Sequence, residues 1–307
     1  MTADDYLRFW GVRGSYSAPH ATHLGVGGNT SCVEMRAGAH ILVLDGGTGI
    51  IDLGNALVQE FAEAPEKPHL FIVFTHYHWD HICGLPFFAP AFSPDWRITF
   101  FGPGEGPEDV EASLSEQMRA PYFPIEIEQW LARIEYAQAV DRRLRHGPFE
   151  IEYHNVHHPG VTFAYRMTVN GRSVVYVSDN EIYFLRKALE ARSAEFDVTE
   201  QQLMARIELE ERLAEMNAFR DADILIHDAQ YTPEDYEKKR GWGHSCYRDT
   251  VACAMDAGVR HLYLFHHDPA YSDDKVERIH ADALEMISQR GGTMACDVAR
   301  EGLRVEL

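Results

Sequence analysis

His76-Tyr77-His78-Trp79-Asp80-His81 puts three imidazoles and a carboxylate within six positions. The run before it, His69-Leu-Phe-Ile-Val-Phe74-Thr75, is apolar and reads as a buried β-strand. Four potential ligands therefore stand where a strand ends and a loop begins. A turn there gathers side chains that an extended chain would send to two faces. Three imidazoles and a carboxylate suit a borderline divalent metal such as zinc, manganese or iron. The plain alternative is a polar loop that happens to be rich in histidine.

The same pattern recurs along the chain. Apolar strands end in a metal-capable or acid–base residue at Leu44-Asp45, Thr75-His76, Val177-Ser-Asp179, Ile226-His227-Asp228 and Phe265-His266. Strand ends on one edge of a layered α/β protein share a rim, so these residues can converge. Any one of them is readily explained as a satisfied structural group; five together argue for a dinuclear metal centre.

Between these points the reading is coarser. Strands are expected at 7–11, 31–36, 40–45, 96–101 and 149–153, and helices at about 50–62, 108–119, 245–257 and 273–289. Asn170-Gly171 between Phe163–Val169 and Ser173–Val177 is a hairpin signal. Residues 103–147 look irregular, and Arg119-Ala-Pro-Tyr-Phe-Pro124 reads as a stiffened loop, either a lid or a surface excursion. Residues 181–221 interrupt the strands with helix formers. Thr199-x-x-Gln202 resembles a capping box, and Leu203, Ile207, Leu213 and Met216 form an apolar stripe. That insertion is a solvated helical pair, a flank of the site or a homodimer contact. The Gly-rich turns Gly11–Ser15 and Gly25–Thr30 are weak signals of close backbone approach.

Composition narrows the partners. The chain has 307 residues and a net charge of −20, from 28 Lys and Arg against 48 Asp and Glu. It has little to offer a long polyanion or an anionic membrane. A small anionic substrate stays open, because bound metals invert the local field. The acidic start is no signal peptide, no apolar run reaches the roughly 20 residues of a membrane span, and five scattered cysteines read as reduced thiols of a cytoplasmic protein.

His76-x-His78-x-Asp80-His81 resembles the signature of the metallo-β-lactamase-fold hydrolases. Asp45-Gly-Gly-Thr-Gly49, His158 before Phe163-Ala-Tyr-Arg166, Ser178-Asp179, Ile226-His-Asp-Ala229, Gly243-His244-Ser245 and Phe265-His266 make it most similar to the branch containing RNase Z and the phosphoribosyl cyclic phosphate phosphodiesterases. The resemblance covers nearly the whole chain. It implies an α/β fold, an αββα sandwich forming one domain over 1–307 with an inserted helical segment at about 181–221. It gives His76, His78 and His158 to one divalent ion, Asp80, His81 and His266 to a second, and Asp179 to both, zinc being the first choice and manganese or iron the others. It favours His158 over His157 and His266 over His267, and sets Asp45 to accept the N–H of a ligand imidazole.

Gly241-Trp-Gly-His244-Ser and His227-Asp228-Ala-Gln resemble the branch's His-Ser-Thr and His-Glu-Ala-Thr segments. Asp in place of Glu, Cys246 in place of Thr, no basic arm and the strong negative charge point away from tRNA processing itself. The activity implied is hydrolysis of a small phosphodiester, cyclic or linear. Asp80, His244 and Asp228 are the catalytic candidates, with His244 as proton donor and Asp228 keeping it protonated. Arg13, Asn29 and Trp242 are candidates for substrate contact. Hydrolysis of a thioester, lactone or amide by the same centre competes with this reading, as does a metal-binding sensor without turnover.

Overall fold

The computed structural model describes residues 5–192 and 196–307. The acidic start at 1–4 and residues 193–195 of the helical insertion lie outside them. Six strands come first: β1 (Tyr6–Gly11), β2 (Cys32–Ala37), β3 (His40–Leu44), β4 (His69–Val73), β5 (Arg97–Phe101) and β6 (Arg133–Tyr136). Seven more form a second sheet: β7 (Arg143–His146), β8 (Phe149–Asn155), β9 (Phe163–Val169), β10 (Arg172–Val177), β11 (Ile224–Asp228), β12 (His261–Phe265) and β13 (Ala295–Val298). β14 (Arg304–Glu306) then returns to the first sheet and pairs with β1, giving the orders β14-β1-β2-β3-β4-β5-β6 and β13-β12-β11-β10-β9-β8-β7.

Each sheet begins antiparallel and ends parallel. Strands β3 to β6 run parallel to one another, and so do β10 to β13. Parallel strands carry all their carboxyl ends to one edge, so the loops after β3, β4, β10, β11 and β12 open on a common rim.

Side-chain alternation explains the layering. In β3 and β4, Leu42, Leu44, Phe71 and Val73 enter the core between the sheets. Their neighbours Ile41, Val43, Leu70 and Ile72 face the other way, beneath α1 (Gly49–Glu60) and α3 (Pro107–Glu116). A strand covered on both faces reads as a continuous apolar run, as 69–75 does. On the other side, α7 (Tyr247–Asp256) and α8 (Asp273–Gln289) supply Val251, Ala254, Val276, Ile279 and Ala283 to the core of the second sheet. The architecture is an αββα sandwich. The hairpin at Asn170-Gly171 has φ of 51° and 78°, the left-handed pair that a two-residue turn of this hand demands.

Residues 103–147 are more regular than expected. They hold α3, a short 3-10 turn, and the edge strands β6 and β7, so they carry the chain from one sheet to the other. The aromatic loop at 119–124 is no freestanding lid: Phe123 packs on Phe87, with ring centres 5.4 Å apart, and on the core beneath α1 and α3. The insertion at 181–221 comprises α4 (Phe184–Arg192) and α5 (Val198–Phe219). Its cap is not Thr199/Gln202. Asp197 accepts from the N–H groups of Thr199 and Glu200, and Glu200 accepts from the N–H of Asp197. The two residues thus satisfy each other's orphan donors, two positions earlier than expected. The apolar stripe is not buried along its length either. Leu203 and Leu213 are exposed, and α5 enters the core only at its end, through Met216, Ala218 and Phe219.

Candidate metal centre

The cluster is built from both sheets. After β4, His76 and His78 lie outside regular structure, His78 on extended backbone, and α2 (Trp79–Ile82) then turns Asp80 and His81 inward. The second sheet delivers His158 from the loop between β8 and β9, Asp179 after β10, Asp228 at the end of β11 and His266 after β12. His244 comes from the loop before α7.

These side chains meet around Asp179. Its Oδ2 lies 3.7 Å from His76 Nε2 and 3.6 Å from His158 Nε2. Its Oδ1 lies 3.1 Å from both His81 Nε2 and His266 Nε2. Asp80 Oδ2 sits 3.3 Å from His81 Nε2 and 3.2 Å from His266 Nε2, and His78 Nδ1 is 3.0 Å from His158 Nε2. His76, His78 and His158 thus form one ligand set, and Asp80, His81, Asp179 and His266 another.

Three buried atoms of the cluster, His76 Nε2, His81 Nε2 and Asp179 Oδ1, have no hydrogen-bond partner. Leaving such groups unpaired costs about 1–3 kcal/mol each, more where charge is involved. Ring nitrogens and carboxylate oxygens that converge on one place are what divalent cations require, so these residues fit metal ions.

The far sides of the imidazoles are held. His81 Nδ1–H donates to Asp45 Oδ2 at 2.9 Å, His266 Nδ1–H to Gln230 Oε1 at 2.9 Å and His158 Nδ1–H to the Gly243 carbonyl at 2.8 Å. Each such bond places a proton on Nδ1 and turns Nε2 toward the cluster. Asp45 is itself fully buried and accepts from Thr75 and from the Tyr176 hydroxyl. Backbone geometry is forced at the same rim: Asp45 and His266 adopt φ of 62° and 58°, a region side-chain-bearing residues seldom occupy. Ser15 N–H donates to Asp80 Oδ2 at 2.7 Å.

Charge follows the same division. Burial, reinforced by His81, lowers His76 far below the usual imidazole value, and burial likewise lowers His78 and His158, so these rings are neutral. Burial would raise Asp179, but His266, His81 and His76 hold its carboxyl well below the ordinary carboxylate range. His81 runs opposite to its neighbours. Burial opposes its charge, but Asp179, Asp80 and Asp45 raise it well above the usual value, so without a cation a second proton sits on the ring, facing Asp179 and Asp80.

Beside this cluster, His244 Nδ1–H donates to Asp228 Oδ2 at 2.8 Å and lies 3.7 Å from Asp179 Oδ2. Its ring stacks on His266 with centres 5.1 Å apart. The loop that carries it is pinned by Glu181, a residue with no part in the sequence-based reading. Buried Glu181 accepts from the Tyr236 hydroxyl at 2.7 Å and from Gly241 and Gly243 N–H at 3.0 Å each. Gly241 and Gly243 have φ of 80° and 85°. A Cβ at Gly243 would meet His158 Nδ1 at 2.3 Å, so only glycine lets the loop lie this close. Gln230 and Thr75 were missed as well. A carboxylate two residues beyond the strand-end Asp179 was the available signal for Glu181; no local pattern marks the other two.

His157 and His267 stay outside the cluster. His157 Nε2 is 3.2 Å from Glu211 on α5, and His267 is buried beside the Ala299 carbonyl. Two expected substrate contacts are engaged within the protein itself. Arg13 is fully buried, and its guanidinium donates to the carbonyls of Gly27, Tyr271, His23 and Asp268, so it ties loops together. Asn29 is held by Glu301 and accepts from the Thr48 hydroxyl. Of the three, Trp242 alone stands out into solvent, 60% exposed on the loop before His244.

A family profile for the "Beta-lactamase superfamily domain" matches residues 40–212. The chain is 24% identical over 291 residues to a ribonuclease Z of Exiguobacterium sibiricum, covering 87% of this chain and 94% of that one. Among solved structures it is similar to the metallo-beta-lactamase fold protein YhfI of Bacillus subtilis (TM-score 0.61, 19% identity, 99% of this chain and 100% of that one). It is similar also to a diphosphatase of the PhnP family (TM-score 0.62, 17% identity, 99% and 98%). With this fold, this histidine loop and this match, the chain belongs to the metallo-β-lactamase superfamily and resembles its ribonuclease Z branch.

Proposed function

We propose that the chain is a metal-dependent phosphodiester hydrolase with a two-ion centre. One observation carries this: a carboxylate, Asp179, turns its two oxygens to two nitrogen sets, and an imidazole–carboxylate couple, His244 with Asp228, stands beside it. His76, His78 and His158 would hold one ion, Asp80, His81 and His266 the other, and Asp179 both. The donor set suits zinc first and manganese or iron next. When bound, such ions supply Lewis acidity toward phosphoryl oxygens and lower the pKa of water.

The chain's own residues do the rest. Asp45, Gln230 and the Gly243 carbonyl orient the ligand imidazoles. Ser15 fixes Asp80. Burial lowers His244, but the charge and hydrogen bond of Asp228 outweigh it and bring the ring up to about 9. At neutral pH His244 therefore holds a proton, where a departing alkoxide needs one. A thiolate or activated phenolate leaves without that help; an alkoxide does not. The names ribonuclease Z and diphosphatase borne by similar proteins both denote hydrolysis at phosphorus.

A net charge of −20 favours a small phosphodiester, cyclic or linear, over a long polyanion. We propose further that the chain is one domain, that its five free cysteines belong to a reducing cytoplasm, and that exposed Leu203, Leu209 and Leu213 on α5 offer a surface to a second copy. No helix among the described residues is long and apolar enough to cross a membrane.

The test is a substrate panel on metal-replete protein. Bis(p-nitrophenyl) phosphate and alkyl phosphodiesters should be hydrolysed ahead of thioesters and lactones. His244→Ala should slow alkyl esters far more than p-nitrophenyl esters. Preference for thioesters or lactones would move the centre to another bond, and an inert protein with two ions per chain would make it a sensor.

A further inference from the structure

A cleft of about 360 Å³ opens next to His158, on the outer side of the cluster. Val156, Pro159, Gly160, Phe184, Gly241 and Gly243 form much of its wall, with His157, His158 and Glu181 completing it. That volume is at the small end of ligand pockets, enough for one substituent of a substrate rather than a polymer. Its floor is shared with the centre, because the Gly243 carbonyl in its wall is the acceptor for His158 Nδ1. A group held here is joined to a phosphoryl group at the cluster by a short tether.

The wall states the chemistry of that group. Phe184 is partly exposed and lies 5.8 Å, centre to centre, from the His157 ring. Pro159 and Val156 add apolar surface, and the two glycines add flat backbone. The described lining contains no lysine or arginine. Its carboxylate, Glu181, already accepts from three donors, and His157 is turned to Glu211. An anionic substituent would meet the Glu181 carboxylate and no lysine or arginine. A cationic one would find Glu181 occupied by its own donors.

We infer that this cleft receives an uncharged planar ring, aryl or heterocyclic, borne by the ester group that stays on phosphorus. The assignment rests on the phosphodiesterase reading and deepens it by naming the substituent. It makes Phe184 a residue of specificity, contributed by the helical insertion.

The experiment holds the leaving group constant. Metal-replete protein is given p-nitrophenyl phosphodiesters whose second ester group is phenyl, methyl or choline. The phenyl ester should exceed the methyl ester in kcat/KM by at least tenfold, mainly through KM. Phe184→Ala should reduce that ratio at least fivefold, and Phe184→Leu should fall between. Equal turnover of phenyl and methyl esters, or a ratio unmoved by Phe184→Ala, overturns the cleft assignment while the phosphodiesterase reading stands. A preference for the choline ester overturns it in favour of a cation. No turnover of any ester overturns the phosphodiesterase reading and the cleft with it.

Discussion

The two sheets supply the same centre in opposite ways. The first gives His76, His78, Asp80 and His81 from one loop after β4. The second gives His158, Asp179, Asp228 and His266, each from the end of a different strand or hairpin, with His244 from a further loop. One half concentrates its candidates in a loop and the single turn of α2 that follows it; the other spreads them along the carboxyl edge of a sheet. In the concentrated half each side chain falls in one candidate ligand set. In the distributed half Asp179 faces both ligand sets. The halves therefore differ in how much a single change should remove.

The largest effect belongs to the distributed half. Asp179→Ala should take metal content below one ion per chain and activity down by about 10³-fold or more, whereas His76→Ala should cost a single ion; plasma emission spectroscopy and turnover on one preparation decide it. Equal metal loss in both would break the division. Next comes His244→Ala, for which a lost proton donor is worth about 10²–10⁴-fold on alkyl esters. If the slope of log kcat against leaving-group pKa does not steepen, His244 is not the donor. Asp45→Asn, which loosens His81, should weaken metal binding by about 10–100-fold; competition with a chromophoric chelator measures it, and an unchanged affinity would show that the loop is rigid without its buried acceptor.

The smallest effect concerns protons. His81 is raised far above the ordinary imidazole value in the ion-free protein, so it is protonated at neutral pH and a bound cation must displace that proton. Affinity should then fall by about tenfold per unit as pH drops below neutral. Calorimetry in two buffers of different ionisation enthalpy should register about one proton released on metal binding. No release would mean that the cation binds without His81.

The same contrast governs what the sequence revealed. The concentrated half is visible as a motif, because four ligands within six positions need no tertiary information. The distributed half is visible only through repeated strand ends, each of them ordinary alone. The Asn170-Gly171 hairpin was legible because left-handed backbone restricts the residues that can occupy it. Edge strands were not. Arg133-Ile-Glu-Tyr136 and Arg143-Leu-Arg-His146 are short and charged, as strand edges that face water are. The burial of Arg13 depends on carbonyls some 255 positions away. Glu181 and Gln230 gain their roles only when loops from separate strands meet, and no periodicity records that. The family resemblance supplied what the pattern lacked, by naming which of two adjacent histidines to prefer.

One consequence follows from where the partners stand along the chain. Asp80 and His266, 186 positions apart, share a 3.2 Å contact, while β14 at 304–306 pairs with β1 at 6–8. During synthesis the histidine loop leaves the ribosome long before the residues that complete its coordination. For that interval it is an open chelate with three imidazoles and no partner set, and an open chelate ranks divalent metals by intrinsic affinity alone, copper ahead of zinc and manganese. Discrimination by geometry begins only when the second sheet docks. Any metal that the mature protein carries would thus be settled late, by closure of the fold rather than by first contact.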